Sequence, residues 1–185
     1  GWNFCLLGQQ FERAAITANA GLTIFKSIAR QTEKAPHPAG HAIEIELSAF
    51  LRLLGSRDAY RRVYQMRAEP VPVLSLLYDN PDMPRSVLRC LGRCQLLLGP
   101  KEDDSPGMIR TRGALDATRQ LVAAADWTSY LLPATMASGE AGGGVQLDPE
   151  CLGRLVALLT DISERTYAIH DVIADGFINH QILLD

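Results

Sequence analysis

The spacing of apolar residues is the feature that most limits what this chain can fold into. In the stretch NPDMPRSVLRCLGRCQLLLGP, residues 80–100, apolar side chains recur at a 4-3-4 spacing, at Val87, Leu91, Cys94 and Leu98. That spacing places them on one face of an α-helix. A similar stripe runs through residues 41–54, and no segment shows a convincing strand-like alternation. The pattern therefore predicts a fold built from helices.

Composition supports a helical globular chain and excludes two classes of partner. Of 185 residues, 47% are hydrophobic and 21% are charged, whereas only 6% are aromatic, which favours helices over strands. The net charge of −3 gives no general attraction to a phosphate backbone. No stretch approaches the roughly 20 apolar residues of a membrane-spanning helix. We therefore expect neither nucleic acid nor a membrane as a partner.

Helix boundaries follow from capping residues and helix breakers. The helix that contains Val87 has two alternative starts, with Asp82 as its N-cap or Pro84 in its first turn. The other helices are predicted over 2–29 (with Gly21 as the point where it could break), over 41–54, after Ser56, over 70–78, over 108–132 and from Asp148 to 182.

These elements predict one all-α domain over residues 1–185, an antiparallel bundle of about five to six helices joined by short loops. The predicted core comprises Trp2, Leu6, Phe50, Leu54, Leu77, Val87, Leu91 and Leu155.

The cysteines each lie in an apolar, helix-like context, at Cys5, Cys90, Cys94 and Cys151. We interpret all of them as buried, reduced thiols, which predicts a cytoplasmic location. Cys90 and Cys94 are one turn apart and could touch one side of a metal ion, but no second pair has matching spacing. We therefore predict neither a metal nor another cofactor.

The first helix carries a carboxylate among apolar neighbours. Its sequence, GWNFCLLGQQFERAAITANAG, places Glu12 beside Arg13, and on a helix Glu12 neighbours Gly8 and Ile16. We therefore predict that Glu12 faces inward and is at least half buried. A buried carboxylate without a partner is costly. Glu12 is then either a structural ion pair or hydrogen bond to a neighbouring helix, or a functional group that carries a proton or binds a ligand.

Basic residues recur on the helix of the 4-3-4 stripe. Arg85, Arg89 and Arg93 follow an i, i+4, i+8 spacing, opposite the core positions. One interpretation is a solvated helix face. The alternative is a binding surface for an acidic partner or for a ligand that carries phosphate.

Three segments of the chain resemble, in the same order, signature segments of the bacterial alpha-E family, which are α-helical proteins with a characteristic Glu-Arg motif. The first is GWNFCLLGQQFERAAITANAG, which matches through Gly1, Trp2, Phe4, Leu7, Gly8, Glu12, Arg13, Ala14, Thr17 and Ala18. The second is LRLLGSRDAYRRVYQ, which matches through Tyr60, Arg61 and Tyr64. The third is VLSLLYDNPDMPRSVLRCLGRCQ, which matches through Asn80, Pro81, Pro84, Ser86 and Val87.

The resemblance covers residues 1–98, with a weaker match around 162–173. Family members are longer and carry a related Glu-Arg segment near their N-terminus, so this chain resembles their C-terminal half. Half of a larger domain could leave an apolar face that another copy covers, so the resemblance implies a homodimer or a missing N-terminal half. It departs from the family at Gln9 and Gln10, which replace basic and aromatic residues, and in the Gly-rich loop at 139–144.

The resemblance implies a partner more clearly than an activity. Alpha-E proteins are encoded beside, or fused to, ATP-grasp ligase-like and transglutaminase-like proteins, which implies an accessory or interaction domain in peptide or amide-bond metabolism. The alternative is an enzyme, or half of one, that uses Glu12 and Arg13 together in a polar cleft. An interaction domain would have exposed docking surfaces. An enzyme would have Glu12 facing a pocket with other polar groups.

Overall fold

Helices make up the regular structure of the part of the chain that can be described. A computed structural model describes residues 2–34, 40–99, 105–131 and 147–177, and no strand occurs in these ranges. The elements are α1 (Trp2–Lys34), α2 (Gly40–Leu53), α3 (Arg57–Tyr64), α4 (Pro70–Leu74), a π-helical turn (Ser75–Asp79), α5 (Val87–Leu97), α6 (Pro106–Ala123) and α7 (Pro149–Phe177). The predicted all-α class is confirmed, and the described residues form seven α-helices where five to six were expected.

Four of the helices enclose the main core. Helix α1 packs against α5 and α7, and α6 packs against the same two helices, so the four form a closed ring. Helix α2 lies outside this ring against α1, and it also contacts α3 and α4. The π-helical turn contacts α1, α5 and α6, and so it joins the outer layer to the ring. Within the described residues, no helix is both long enough and apolar enough to cross a membrane.

The apolar stripes predicted from the sequence form the interior. Val87, Leu91 and Cys94 are completely buried in α5. Leu6 is only partly buried, because α1 turns the adjacent Leu7 inward instead. The side chain of Trp2 lies outside the described residues. The other predicted core residues are all buried, namely Phe50, Leu54, Leu77 and Leu155.

Helix α1 is longer than predicted and continuous through Gly21. It ends at Lys34 rather than near Ala29, and it does not break at the glycine. Gly21 instead gives room to Tyr78 from the π-helical turn, whose hydroxyl donates a hydrogen bond to the Ala18 carbonyl over 3.0 Å. The glycine therefore serves a close contact between two elements rather than a bend.

Helix α5 begins at a different residue from the two predicted ones. Its N-cap is Ser86, whose Oγ accepts a hydrogen bond from the Arg89 amide over 3.1 Å. Asp82 and Pro84 lie in the preceding turn, where Asn80 Oδ1 accepts hydrogen bonds from the Asp82 and Met83 amides. The side chain of Asn80 thus closes a separate turn, and this delays the helix until Ser86.

Helix α5 ends at Leu97, just before Gly99. Gly99 has a φ of +75°, the left-handed conformation that glycine adopts without steric cost. The buried Arg112 of α6 donates from Nη2 to the carbonyl oxygens of Leu98 and Gly99, at 3.2 and 3.0 Å. A cation at this position also complements the negative end of the helix dipole.

Helix α6 ends at Ala123, well before the predicted residue 132. The Asp126 carboxylate accepts hydrogen bonds from the Thr128 and Ser129 amides, at 3.1 and 3.4 Å, and so holds the chain in a turn. This turn directs Trp127 into the core, where it is 3% exposed. Tertiary packing of one aromatic residue therefore overrides the helix-like pattern of the segment.

Helix α7 begins as the sequence predicts. Asp148 precedes Pro149, and its Oδ1 accepts a hydrogen bond from the Cys151 amide over 2.9 Å. That hydrogen bond lowers the pKa of the Asp148 carboxyl, because it favours the ionised form. The predicted end of this helix at residue 182 lies outside the described residues.

Candidate functional site

Glu12 is exposed to solvent, and the prediction that it faces inward is wrong. The buried stripe of α1 runs through Phe11, Ala14 and Ala18, and Glu12 lies about 100° around the helix from Phe11. One of its apolar neighbours, Ile16, is itself 46% exposed. Apolar residues one turn away therefore did not indicate burial here, because they belong to the outer surface of α1.

That outer surface borders a groove between α1 and α7. The groove has a volume of about 550 Å³, and its lining is mostly apolar. A Cβ atom built at Gly8 would meet no atom within 4 Å, so the glycine leaves the groove open at that point. We call it the α1–α7 groove, and it is lined by Gly8, Phe11, Glu12, Ala15, Ile16, Thr166, Tyr167 and His170.

The α7 wall of this groove follows a second Glu-Arg dipeptide, which the sequence reasoning missed. Glu164 and Arg165 immediately precede Thr166 and Tyr167. Arg165 Nε forms an ion pair with Asp161 Oδ1 at 2.7 Å, and Glu164 is exposed one turn before Tyr167. The repeated dipeptide was a visible signal, but only the packing of α1 on α7 places both copies beside one groove.

Arg13 lies on another side of α1 and is not among the residues that line the groove. Thr17, one turn further along α1, donates a hydrogen bond from Oγ1 to the Arg85 carbonyl over 3.1 Å, so this face of α1 meets the start of α5. The structure thus separates the predicted pair, with Glu12 directed to α7 and Arg13 to α5.

The three arginines predicted as one helical stripe do not form one. Arg85 lies outside α5, because the helix begins only at Val87. Arg85 is half-buried. Arg89 is half-buried and donates from Nη1 to the Pro81 carbonyl over 2.8 Å. Arg93 is exposed. Arg85 and Arg89 therefore belong to the junction with α1, whereas Arg93 lies apart.

Cys90 is a buried residue of α5, one position after Arg89. Its thiol is buried and donates to the Pro84 carbonyl over 3.4 Å. Burial raises the pKa of Cys90 to about 11, although the positive charges of Arg13, Arg85 and Arg89 act in the opposite direction. Cys94 is buried as well, and burial again raises the pKa of its thiol.

The other two cysteines correct the prediction of four buried thiols. Cys5 is exposed and Cys151 is half-buried, and all four cysteines are free thiols. Cys5 lies on the outer side of α1 and Cys151 lies at the start of α7, which explains why neither thiol is buried in the core.

Glu44 of α2 lies near two basic side chains. His41 and Glu44 lie 3.7 Å apart, and Arg67 also approaches Glu44 at 4.0 Å. In the described ranges, no three His, Cys, Asp or Glu side chains come together in a way that could hold a metal ion.

Sequence reasoning also missed a polar contact in the interior, between the π-helical turn and the segment after α6. Trp127 Nε1 donates to Asp79 Oδ2 over 2.8 Å, and the Trp127 and Tyr78 rings lie 5.4 Å apart. Burial raises the pKa of Asp79, and the indole hydrogen bond only partly offsets this effect. The two partners are 48 residues apart in the sequence, so no local pattern could have paired them.

Comparison with known proteins agrees with the helical architecture. A family model described as a predicted alpha-helical domain with a conserved ER motif matches residues 1–178. No curated protein and no solved structure matches the chain.

Proposed function

Because the chain belongs to the Alpha-E family, we propose that it is an accessory or interaction domain that binds a protein partner. The resemblance described above supplies the class of partner, an ATP-grasp ligase-like or transglutaminase-like protein of peptide or amide-bond metabolism. We expect the complex in the cytoplasm, where thiols such as Cys90 and Cys94 remain reduced.

The observation that carries the proposal is the α1–α7 groove. Its walls expose apolar groups, with Ile16 at 46% and Tyr167 at 49%, beside a glycine that leaves room for an incoming side chain. Its volume of about 550 Å³ suits a few anchoring side chains of a partner helix. An amphipathic segment of the partner is therefore the occupant that we propose.

The charges around the groove define the chemistry of that segment. Glu12 lies in the lining and makes no ion pair with another described residue. Glu164 is exposed one turn before Tyr167, and Asp171, beside His170, has a side chain that is 82% exposed. A partner segment with apolar anchors and a Lys or Arg would match these carboxylates. The Arg-containing junction at α5 is not needed for this contact.

A binding measurement with groove variants tests the proposal. The partners to test are an ATP-grasp ligase-like and a transglutaminase-like protein from the organism that encodes this chain. Gly8→Trp fills the groove at an exposed helical position, and we expect it to weaken binding by about tenfold or more. Gly113→Trp is the matched control, because Gly113 is also exposed in a helix with no atom within 4 Å of a built Cβ.

Circular dichroism and thermal unfolding serve to check that both variants fold. Equal loss of binding in both variants, or full binding by Gly8→Trp, would remove the groove from the function. Absence of binding to both partner proteins would overturn the proposed partner class.

A further inference from the structure

We propose that Arg13, Arg85 and Arg89, which we call the arginine cluster, form a binding site for a phosphate group where α1 meets the start of α5. This inference does not depend on the proposed protein partner, because it concerns a different surface of the molecule.

The backbone holds the members of the cluster close to one another. Arg13 lies one helical turn before Thr17, whose hydroxyl is bonded to the Arg85 carbonyl over 3.1 Å. Arg89 follows Arg85 by four residues, across the N-cap Ser86. Two helices and the turn between residues 80 and 86 thus bring together arginines that are 72 and 76 positions apart in the sequence.

Part of the cluster is already fixed in place. The Arg89 amide donates a hydrogen bond to Ser86 Oγ over 3.1 Å. The guanidinium group of Arg89 donates from Nη1 to the Pro81 carbonyl over 2.8 Å. Arg85 and Arg89 are both half-buried, so their side chains have less freedom than those on an open helix face. Such preorganisation lowers the entropy that a ligand must remove on binding.

The positive charges of the cluster lack acidic partners. The charges of Arg13, Arg85 and Arg89 all favour the ionised form of the Cys90 thiol, although burial outweighs them and raises its pKa. Among the described residues, no carboxylate forms an ion pair with Arg13, Arg85 or Arg89. Three arginines without acidic partners, carried by neighbouring segments, favour a multivalent anion over a single carboxylate, which one arginine could hold.

A phosphate group matches this arrangement in charge and shape. Its tetrahedral oxygens can accept hydrogen bonds from guanidinium groups that approach from different helices, and its charge is shared among several donors. The phosphate could be free or could be carried by a nucleotide, and titration of both kinds of ligand distinguishes these sources.

Isothermal titration calorimetry of the full chain at constant ionic strength tests the site. The probes are inorganic phosphate, pyrophosphate and AMP, each compared with a short poly-glutamate peptide. We expect phosphate or pyrophosphate to bind, and Arg13→Gln and Arg85→Gln each to weaken that binding by about tenfold. Tighter binding of AMP than of inorganic phosphate would assign the phosphate to a nucleotide.

Arg93→Gln is the matched control, since Arg93 is an exposed arginine of the same helix outside the cluster. It should change the affinity by no more than about twofold. Equal weakening by Arg93→Gln and Arg13→Gln would reveal only diffuse electrostatic attraction and overturn the site. Failure of all the phosphate ligands to bind at about 10 mM, or a preference for poly-glutamate, would overturn it as well.

Two further variants keep the test interpretable. Arg89→Lys retains a positive charge where Gln could disturb the turn, and it should weaken binding while thermal unfolding shows a folded protein. Gly8→Trp, which blocks the α1–α7 groove, should bind phosphate normally. If Gly8→Trp loses the protein partner but keeps phosphate affinity, the two proposals are separated.

Discussion

At the scale of single residues, Gly21 shows how one missing side chain determines a contact in the core. The Tyr78 ring comes so close to α1 that a Cβ atom on Gly21 would overlap its hydroxyl and lie 3.0 Å from Cζ. Tyr78 is fully buried and its hydroxyl is bonded to the Ala18 carbonyl, so the ring has no free direction in which to move. Burial also raises the pKa of this hydroxyl, which therefore remains a donor into the alkaline range.

Gly21→Ala should consequently destabilise the fold, even though alanine is the better helix former. We expect a loss of about 1–3 kcal/mol in the free energy of unfolding, typical of overpacking in a core. Gly113→Ala is the matched control in α6, where a built Cβ meets no atom within 4 Å. It should stabilise the protein by about 0.5–1 kcal/mol. Urea denaturation of both variants measures the difference, and a stabilised Gly21→Ala protein would contradict the close contact.

At the scale of elements, the turn that precedes α5 depends on Ser86. Its Oγ accepts from the Arg89 amide, and it also donates to the Asn80 carbonyl. One buried hydroxyl thus caps the helix and ties it to the turn of residues 80–83. Three of the residues that match the alpha-E signature, Asn80, Pro81 and Ser86, therefore have a clear role in shaping this turn.

Removal of that hydroxyl should cost more than removal of an ordinary cap. Ser86→Ala is expected to lower the free energy of unfolding by about 2 kcal/mol, the upper part of the range for N-caps, because the Asn80 carbonyl also loses its donor. Ser105→Ala is the control: Ser105 is exposed and caps α6 through the Met108 amide alone, at 3.2 Å. A loss of about 0.5–1 kcal/mol is expected there. Equal losses in the two variants would indicate that the second hydrogen bond contributes nothing.

At the scale of the whole molecule, the reactivity of the buried thiols depends on unfolding of the helical bundle. Cys90 and Cys94 are completely buried, whereas Cys5 is exposed. Burial raises the pKa of Cys90 from 9.0 to about 11, so the native state retains a proton that the unfolded state loses between these two values. The unfolded state then binds fewer protons than the native state, so stability falls as the pH rises from 9.0 towards about 11.

Thiol labelling followed by mass spectrometry checks this expectation. At about pH 8, Cys5 should react rapidly with an aromatic disulfide reagent, and Cys90 and Cys94 should react only when the protein opens. Labelling of the two buried thiols should accelerate as the pH rises above 9.0, which is the ordinary value for a cysteine. Cys5→Ser removes the fast phase and should leave the slow one unchanged. Rapid labelling of Cys90 at about pH 8 would contradict the packing of α5 in the ring of helices.

Local sequence patterns predicted the helical architecture well. Val87, Leu91 and Cys94 are buried as their spacing required, and α7 begins behind Asp148 as its capping chemistry indicated. These predictions are confirmed because both the helical period and the hydrogen bond of an N-cap involve residues within a few positions of one another. The resemblance to the alpha-E family likewise rests on short segments of the sequence.

Placement of the candidate sites depended on contacts between distant segments. The apolar neighbours of Glu12 indicated burial, but α1 presents that face to solvent beside α7. The i, i+4 spacing of Arg85 and Arg89 was visible, whereas their proximity to Arg13 follows from the bond between Thr17 and Arg85. The helical class and the buried stripe of α5 could be read from the sequence, because they depend on near neighbours. The tertiary structure decided which faces meet, because that depends on how whole helices pack around one core.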